Sequence, residues 1–309
     1  MVSTRLSVTI ALAVFAVLAC TLLPVPAARA NFSSFDGAFQ FAVLSESTVP
    51  QTNFNTGTIT GDVGIGSPGQ FTLSNASLTG SIFFSGASNT TGLTPNPNPG
   101  SNPGPFTVSG GGTVTGGVVA NSSAVTTALG AINSYSATLA GEAGTAVTIT
   151  SGGSLTASSG MLDAFGNRVF NVAPLNFPNG AFTINGSASD FVVLNNLGGG
   201  NWHGQILLNG ITSDHVLINA FGAGNALDVN TNGLTTHGIF LDPTGKMSAV
   251  NTNIQGRFWG GDSQNMQIVS GFHITAPASV PEPTSLLLLG VGLAGLAAWR
   301  SRHRRTGTK

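Results

Sequence analysis

Phe182-Thr183-Ile184-Asn185, Val192-Val193-Leu194-Asn195, Ile206-Leu207-Leu208-Asn209, Val216-Leu217-Ile218-Asn219 and Leu227-Asp228-Val229-Asn230 each run three strand-forming positions into an asparagine, and the successive asparagines are 10, 14, 10 and 11 residues apart. Recurrence on this scale predicts stacked rungs. The runs are more continuously apolar than a strand with one wet face would be, as expected of strands buried inside a coil and paired above and below. Asn tolerates left-handed backbone angles and hydrogen-bonds its own turn, so each asparagine is expected to bend the chain where its strand stops. Stacked in register, the asparagines can also pair side chain to side chain. The expected fold is all-β, a β-solenoid over residues 31–277. The competing reading is a β-sandwich, which also shows short strands at roughly 8 to 12 residue spacing.

One segment breaks the β pattern. From 122 to 140 the apolar positions Val125, Leu129, Ile132, Tyr135 and Leu139 follow helical spacing, Ser122 or Ser123 can cap the start, and Gly141 suits the left-handed position past the end. Its Thr, Ser and Gly130 content makes a weak helix, which is expected to form only by laying that stripe along the β body. Residues 92–105 hold five prolines and read as an exposed, inserted loop.

Composition agrees with a β body. Of 309 residues 43 are Gly and only 7% are charged, against roughly a quarter in ordinary domains. The 41% hydrophobic content excludes a charged disordered chain. Glycine without a three-residue period excludes collagen, and the Gly, Ser, Thr, Asn and Val of the middle exclude a long coiled coil. Residues 31–282 hold all 11 acidic residues against Arg168, Lys246 and Arg257, a net charge of −8, so nucleic acid is excluded as a partner.

The two ends read as addresses. Arg5, an apolar run from Leu6 to Leu23, and Ala28 and Ala30 around Arg29 form a secretory signal peptide over residues 1–30, with cleavage after Ala30. Cys20 is the one cysteine, in a Val17-Leu18-Ala19-Cys20 context that loosely resembles a lipoprotein box; with a cut at Ala30 the mature chain has no thiol and no disulfide. At the other end, over residues 278–309, Pro281-Glu282-Pro283 precedes an apolar stretch at 286–299, which ends in a basic cluster with Arg300, Arg302, Arg304 and Arg305. The stretch is at the short end of what spans a bilayer, and the arginines are expected to stay cytoplasmic, leaving the body outside the inner membrane. Gly290, Gly292 and Gly295 give it a small-residue face suited to packing on another membrane helix.

This order of tripeptide, span and basic end closely resembles the PEP-CTERM sorting signal of Gram-negative bacteria. The resemblance implies recognition by an exosortase, a membrane transpeptidase that cuts near the tripeptide and passes the protein to the cell envelope or an extracellular polysaccharide matrix. The plain alternative is a permanent single-span anchor. In the body, Phe41-Ala42-Val43-Leu44 followed by Thr58-Ile59-Thr60-Gly61-Asp62-Val63-Gly64 resembles the opening of the ice-binding-like β-helical family. Residues 191–261, with Gly256-Arg257-Phe258-Trp259-Gly260-Gly261, resemble the related choice-of-anchor A family. Both resemblances imply a right-handed parallel β-helix with one α-helix alongside, and neither implies catalysis.

No residue pattern in the body carries a reaction. His203, His215, His237 and His273 stand at no metal-binding spacing, and a His237–Asp242 approach lacks a nucleophilic serine. Asp190, Asp214, Asp228 and Asp242 sit near the edges of predicted rungs and read as turn or capping residues rather than a calcium loop. A polysaccharide lyase would draw on Asp228, Asp242, Lys246 and Arg257, but three cations are few for an acidic sugar. Ice binding would rest on the Thr-x-Thr pairs Thr58/Thr60, Thr113/Thr115 and Thr148/Thr150, which put two hydroxyls on one strand face; it requires such pairs on rung after rung. Trp202 and Trp259 would stack on sugars if exposed. The expectation is an exported structural or adhesive protein, with no enzymatic activity, cofactor or metal, partnered by an exosortase, the inner membrane and extracellular polysaccharide.

Overall fold

The computed structural model describes most of residues 32–277, apart from 33–34, 36, 47–50, 68, 87–105, 174, 197, 223–225 and 262–265. The signal peptide, the proline-rich loop and the whole sorting segment lie outside the described residues.

The chain coils, and its parallel strands stack in three columns. The first column runs Thr145–Val147, Arg168–Val172, Val192–Asn196, Val216–Ala220, the second halves of Thr235–Asp242 and Asn253–Gly260, then Phe41–Ser45, Asp62–Ile65, Ile82–Phe84 and Val118–Val119. One inward row crosses the eight central rungs in register: Phe170, Leu194, Ile218, Phe240, Phe258, Val43, Val63 and Ile82. These residues form the core inside the coil. A single antiparallel pairing, Met161–Leu162 on Arg168–Val172, interrupts the otherwise parallel order among the described residues.

The spacing of the asparagines resolves into coils. Asn195 stands opposite Asn219, and Asn185 opposite Asn209, so one coil here is 24 residues and carries two of the repeats, one on each of two faces. The asparagines do not bend the chain as expected. None of these four has a positive φ; they lie within strands and pair along the ladder, Asn209 Nδ2 to Asn185 Oδ1 at 3.0 Å and Asn219 Nδ2 to Asn195 Oδ1 at 3.0 Å. The left-handed bend is made instead at a single corner, by Asn232, Asn251, Ser270, Thr56 and Asn75, with Gly233 and Gly271 also left-handed beside two of them. At the next corner, Gly238 and Gly256 stand in register, and a Cβ on Gly256 would lie 1.8 Å from the Gly238 carbonyl oxygen. Only glycine passes there.

The first described strand lies in the middle of the solenoid. Phe41–Ser45 pairs with Asp62–Ile65 on one side and with Asn253–Gly260 on the other. Residues 41–119 build coils outward from this join, α1 (Ser123–Ala140) runs back alongside, and residues 145–275 build from the far end to close it. Successive coils at 63 and 82 are 19 residues apart, whereas 82 to 118 takes 36.

Helix α1 buries Val125, Leu129, Ile132, Tyr135 and Leu139, the stripe read from sequence, together with Ala128 and Ser136. Their partners are the outward residues of the first column, Val169, Val193, Leu217, Ile239, Leu241 and Trp259, plus Phe32, Phe35 and Ala38 from the N-terminal segment. This second core explains why Val192–Asn196 and Val216–Ala220 are buried on both faces. The expected caps differ in detail: Ser122 stands at the N-cap but its side chain makes no capping bond, and Gly141 has φ −86 rather than a left-handed angle. The C-terminal carbonyls find side chains instead, Leu139 that of Asn195 and Ser136 that of Asn219.

Candidate functional site

The second column is a flat sheet exposed on its outer side. From the join outward it runs Thr58-Ile59-Thr60, Ser77-Leu78-Thr79 and Thr113-Val114-Thr115; from the join inward it runs His273-Ile274-Thr275, Asn253-Ile254-Gln255 and Thr235-Thr236-His237. Alternation sends Ile59, Leu78, Ile254 and Ile274 into the core and the flanking residues outward. The result is two parallel rows, Thr113, Ser77, Thr58, His273, Asn253 and Thr235 in one, and Thr115, Thr79, Thr60, Thr275, Gln255 and His237 in the other. Rungs are about 4.8 Å apart and outward neighbours on one strand about 6.7 Å, so the side chains form a near-rectangular lattice. Cross-rung bonds fix it: Thr58 Oγ1 to His273 Nδ1 at 2.7 Å, and Thr113 Oγ1 donating to Ser77 Oγ at 3.0 Å.

Four adjacent rungs of this face carry a hydroxyl, which satisfies in part the regularity that the Thr-x-Thr pairs alone lacked. Thr58/Thr60 and Thr113/Thr115 join it; Thr148/Thr150 sits outside any strand, at the other end of the solenoid. Sequence reading missed Ser77/Thr79 and His273/Thr275. The lattice continues with amides past Thr235: Gln205 Nε2 donates to Thr235 O at 2.8 Å, joining a separate three-stranded sheet that bears Asn209 and Asn185.

At one margin of the flat face lies a cleft of about 620 Å³. His237, Gln255 and Thr275, three successive members of one row, line one side; Leu208, Ile211 and the 3₁₀ turn Ser213–His215 line the other, with Pro277. His237 Nδ1 and Ser213 Oγ are 3.3 Å apart. Burial lowers the pKa of His237 and of His215, so both rings are neutral at pH 7. Asp214 is bonded to the guanidinium of Arg257, which also donates to Phe39 O at 2.8 Å and lies 5.0 Å from the Phe39 ring centroid. Burial pushes the Asp214 carboxyl up and Arg257 down, each opposed by the partner's charge.

The structure disperses the residues a lyase would need. Lys246 Nζ and Asp228 Oδ1 meet at 3.9 Å on the third face, Arg257 is 1% exposed, and Asp242 is fully buried. His237 lies on the second column and Asp242, past the corner at Gly238, ends the first-column half of the same strand, so the two stand on different faces of the coil. Asp190 caps its own turn, accepting from Ser187 N at 2.8 Å, but Asp228 and Asp242 lie in strands rather than turns. Trp202 and Trp259 are 1% and 0% exposed, core residues with no face for a sugar. Among the described residues no group of three His, Cys, Asp or Glu could hold a metal ion, and no helix is long and apolar enough to cross a membrane.

The described chain ends at Pro277, beside the cleft and the flat face. Beyond it, the model of a PEP-CTERM protein-sorting motif matches residues 279–305. The chain carries a PEP-CTERM sorting motif. Pro281-Glu282-Pro283 falls within the match, and the motif directs export to the cell envelope with processing by an exosortase. No curated protein matches the chain. The body is similar in fold to solved ice-binding proteins. One from the Antarctic ascomycete Antarctomyces psychrotrophicus has TM-score 0.51 and 15% identity, over 79% of this chain and 98% of that one. One from an Arctic yeast has TM-score 0.51 and 16% identity, over 81% and 95%. One from an Antarctic Flavobacteriaceae bacterium has TM-score 0.53 and 17% identity, over 80% and 48%. At this identity the likeness shows the fold.

Proposed function

We propose that this PEP-CTERM protein is a structural or adhesive component of the cell envelope or extracellular matrix, without enzymatic activity and without a cofactor. The observation that carries the reading is the placement of a flat face, free of charged side chains and built of hydroxyls and amides, on a body whose tail bears the sorting motif. Such a face offers donors and acceptors at a fixed repeat to a polymer that presents hydroxyls at its own repeat. The likeness of residues 191–261 to choice-of-anchor A proteins supports the same use.

The route follows from the two ends. The signal peptide is cut after Ala30, following the Ala28-Arg29-Ala30 site, and the right-handed solenoid folds over residues 31–277 outside the inner membrane. The span at 286–299 holds it there while Arg300, Arg302, Arg304 and Arg305 remain inside. An exosortase then cuts near Pro281-Glu282-Pro283 and joins the body to its envelope or matrix acceptor. Intact-mass measurement of the protein from cells tests this: a mature chain that runs from Asn31 to near Pro283 is expected. A chain still ending at Lys309 would mean a permanent anchor.

Ice binding is the second reading, favoured by the four adjacent hydroxyl-bearing rungs on a fold shared with ice-binding proteins. Thermal hysteresis measured on the purified chain separates it from the first.

A further inference from the structure

We propose that the cleft beside the flat face is a binding site for a neutral sugar unit of an extracellular glycan. The proposal deepens the adhesive reading above and rests on it.

Size, lining and charge point the same way. At about 620 Å³ the cleft is within the range of sites that enclose small ligands and holds one or two hexose rings. Leu208, Ile211 and Pro277 offer it an apolar side, suited to the C–H face of a pyranose. The polar side is a set of short hydrogen-bonding groups: Ser213 Oγ, the His237 imidazole, the Gln255 amide and the Thr275 hydroxyl. Gln255 and Thr275 are exposed, so their side chains are available to a ligand. These groups donate and accept, as vicinal sugar hydroxyls do, and two of them stand on adjacent rungs at about 4.8 Å.

Charge decides which sugar. Among the described residues Asp214 is the only carboxylate in the lining, and Arg257 already neutralises it. A uronate entering here would find no free cation, and an amino sugar no free anion, so either would lose its hydration without a counter-charge. A neutral hexose meets no such penalty. The cleft also opens on the row that Thr60 and Thr79 continue, so a chain seated in it has further hydroxyls to follow along the face.

Saturation-transfer NMR on the detergent-solubilised full-length protein tests the site with cellobiose, glucuronate and glucosamine as probes. Retention of the same protein on its native exopolysaccharide tests the reading beneath it. Gln255→Trp fills the cleft from an exposed position, Thr275→Phe is a second variant of the same kind, and circular dichroism reports whether each is folded. The expected result is transfer to cellobiose alone, lost to background in both folded variants, with retention on the polysaccharide reduced at least about tenfold. Retention that persists undiminished in the variants would overturn the cleft and leave the adhesive reading standing. A stronger signal for glucuronate or glucosamine would overturn the neutral class. A wild-type protein that shows neither transfer nor retention would overturn both.

Discussion

The side-chain amide of Asn219 donates to the side-chain oxygen of Asn195 at 3.0 Å, one rung away and beneath the last turn of α1. Asn195 in turn donates to the carbonyl of Leu139, and Ser136 Oγ donates to Asn219 Oδ1 at 2.5 Å. The ladder thus does what a capping residue would do, from another part of the chain, and it is fully buried. Asn195→Ala removes two buried hydrogen bonds, its amide to the Leu139 carbonyl, which keeps the Glu142 N–H at 3.1 Å, and its oxygen to the Asn219 amide, which together cost about 2 kcal/mol. For a body of this size that is roughly 4–8 °C in Tm, read by thermal unfolding. Loss of less than a degree would mean that water replaces the amide.

The inward rows and the helix stripe were legible in the sequence because each is a local periodicity. Val192-Val193-Leu194 reads as doubly buried without knowing what lies above it. The flat face was not legible. Thr58 meets Ser77 after 19 residues and Ser77 meets Thr113 after 36, so the interval between neighbours on this face is not constant. Thr58 meets His273 across 215 residues, because the early strand Gln51–Thr60 pairs directly with the last described strand, Met266–Thr275. No periodicity reports a neighbour of that kind. The asparagines misled for a related reason: alternate members of the series belong to different faces, so a 10-residue step and a 14-residue step make one coil between them.

Arg257 binds three separated parts of the chain, the carboxylate of Asp214, the carbonyl and ring of Phe39, and the carbonyl of Pro277, and packs near Trp259. It stands in the rung that meets the N-terminal strand, so it fastens the join. Arg257→Ala is expected to destabilise by about 3–5 kcal/mol, since it leaves Asp214 without its ion-pair partner in a largely buried position. Asp214→Ala is expected to cost at least as much, because the guanidinium it strands is 1% exposed whereas Asp214 is a quarter exposed. A double-mutant cycle in urea measures the coupling, and additive losses would show that Phe39, not the ion pair, holds the arginine.

Asp242 ends its strand fully buried, and the backbone N–H groups of Gly245 and Thr244 approach its carboxylate without closing a well-formed hydrogen bond. Burial pushes its pKa from 3.8 to about 8, with the backbone N–H groups of Gly245 and Thr244 offsetting only part of the effect. The sign follows directly: the folded state keeps a proton that the unfolded state has released, so the contribution to stability is full below about pH 4 and is lost progressively as pH rises to about 8. Asp242→Asn keeps the shape and removes the titration. Its advantage over wild type is therefore expected to grow between pH 5 and pH 8, seen as a Tm difference that widens across that range. A constant difference would place the carboxyl in contact with water.

Thr79 is exposed in the row that runs Thr115, Thr79, Thr60 and Thr275, and lies outside the sugar cleft. A lattice of hydroxyls can match an ice surface only while it stays flat, since one projecting side chain holds neighbouring rungs away from the crystal. Thr79→Tyr adds an aromatic ring at an outward strand position where it strains nothing, and strands accept tyrosine readily. If the face binds ice, wild type shows thermal hysteresis and inhibits ice recrystallisation, Thr79→Tyr loses most of both, and Thr79→Ser retains them. If the face serves only the matrix, none of the three shows hysteresis, while Thr79→Tyr still binds cellobiose in the cleft. The pair of measurements assigns the flat face and the cleft independently, because the substitution touches one and spares the other.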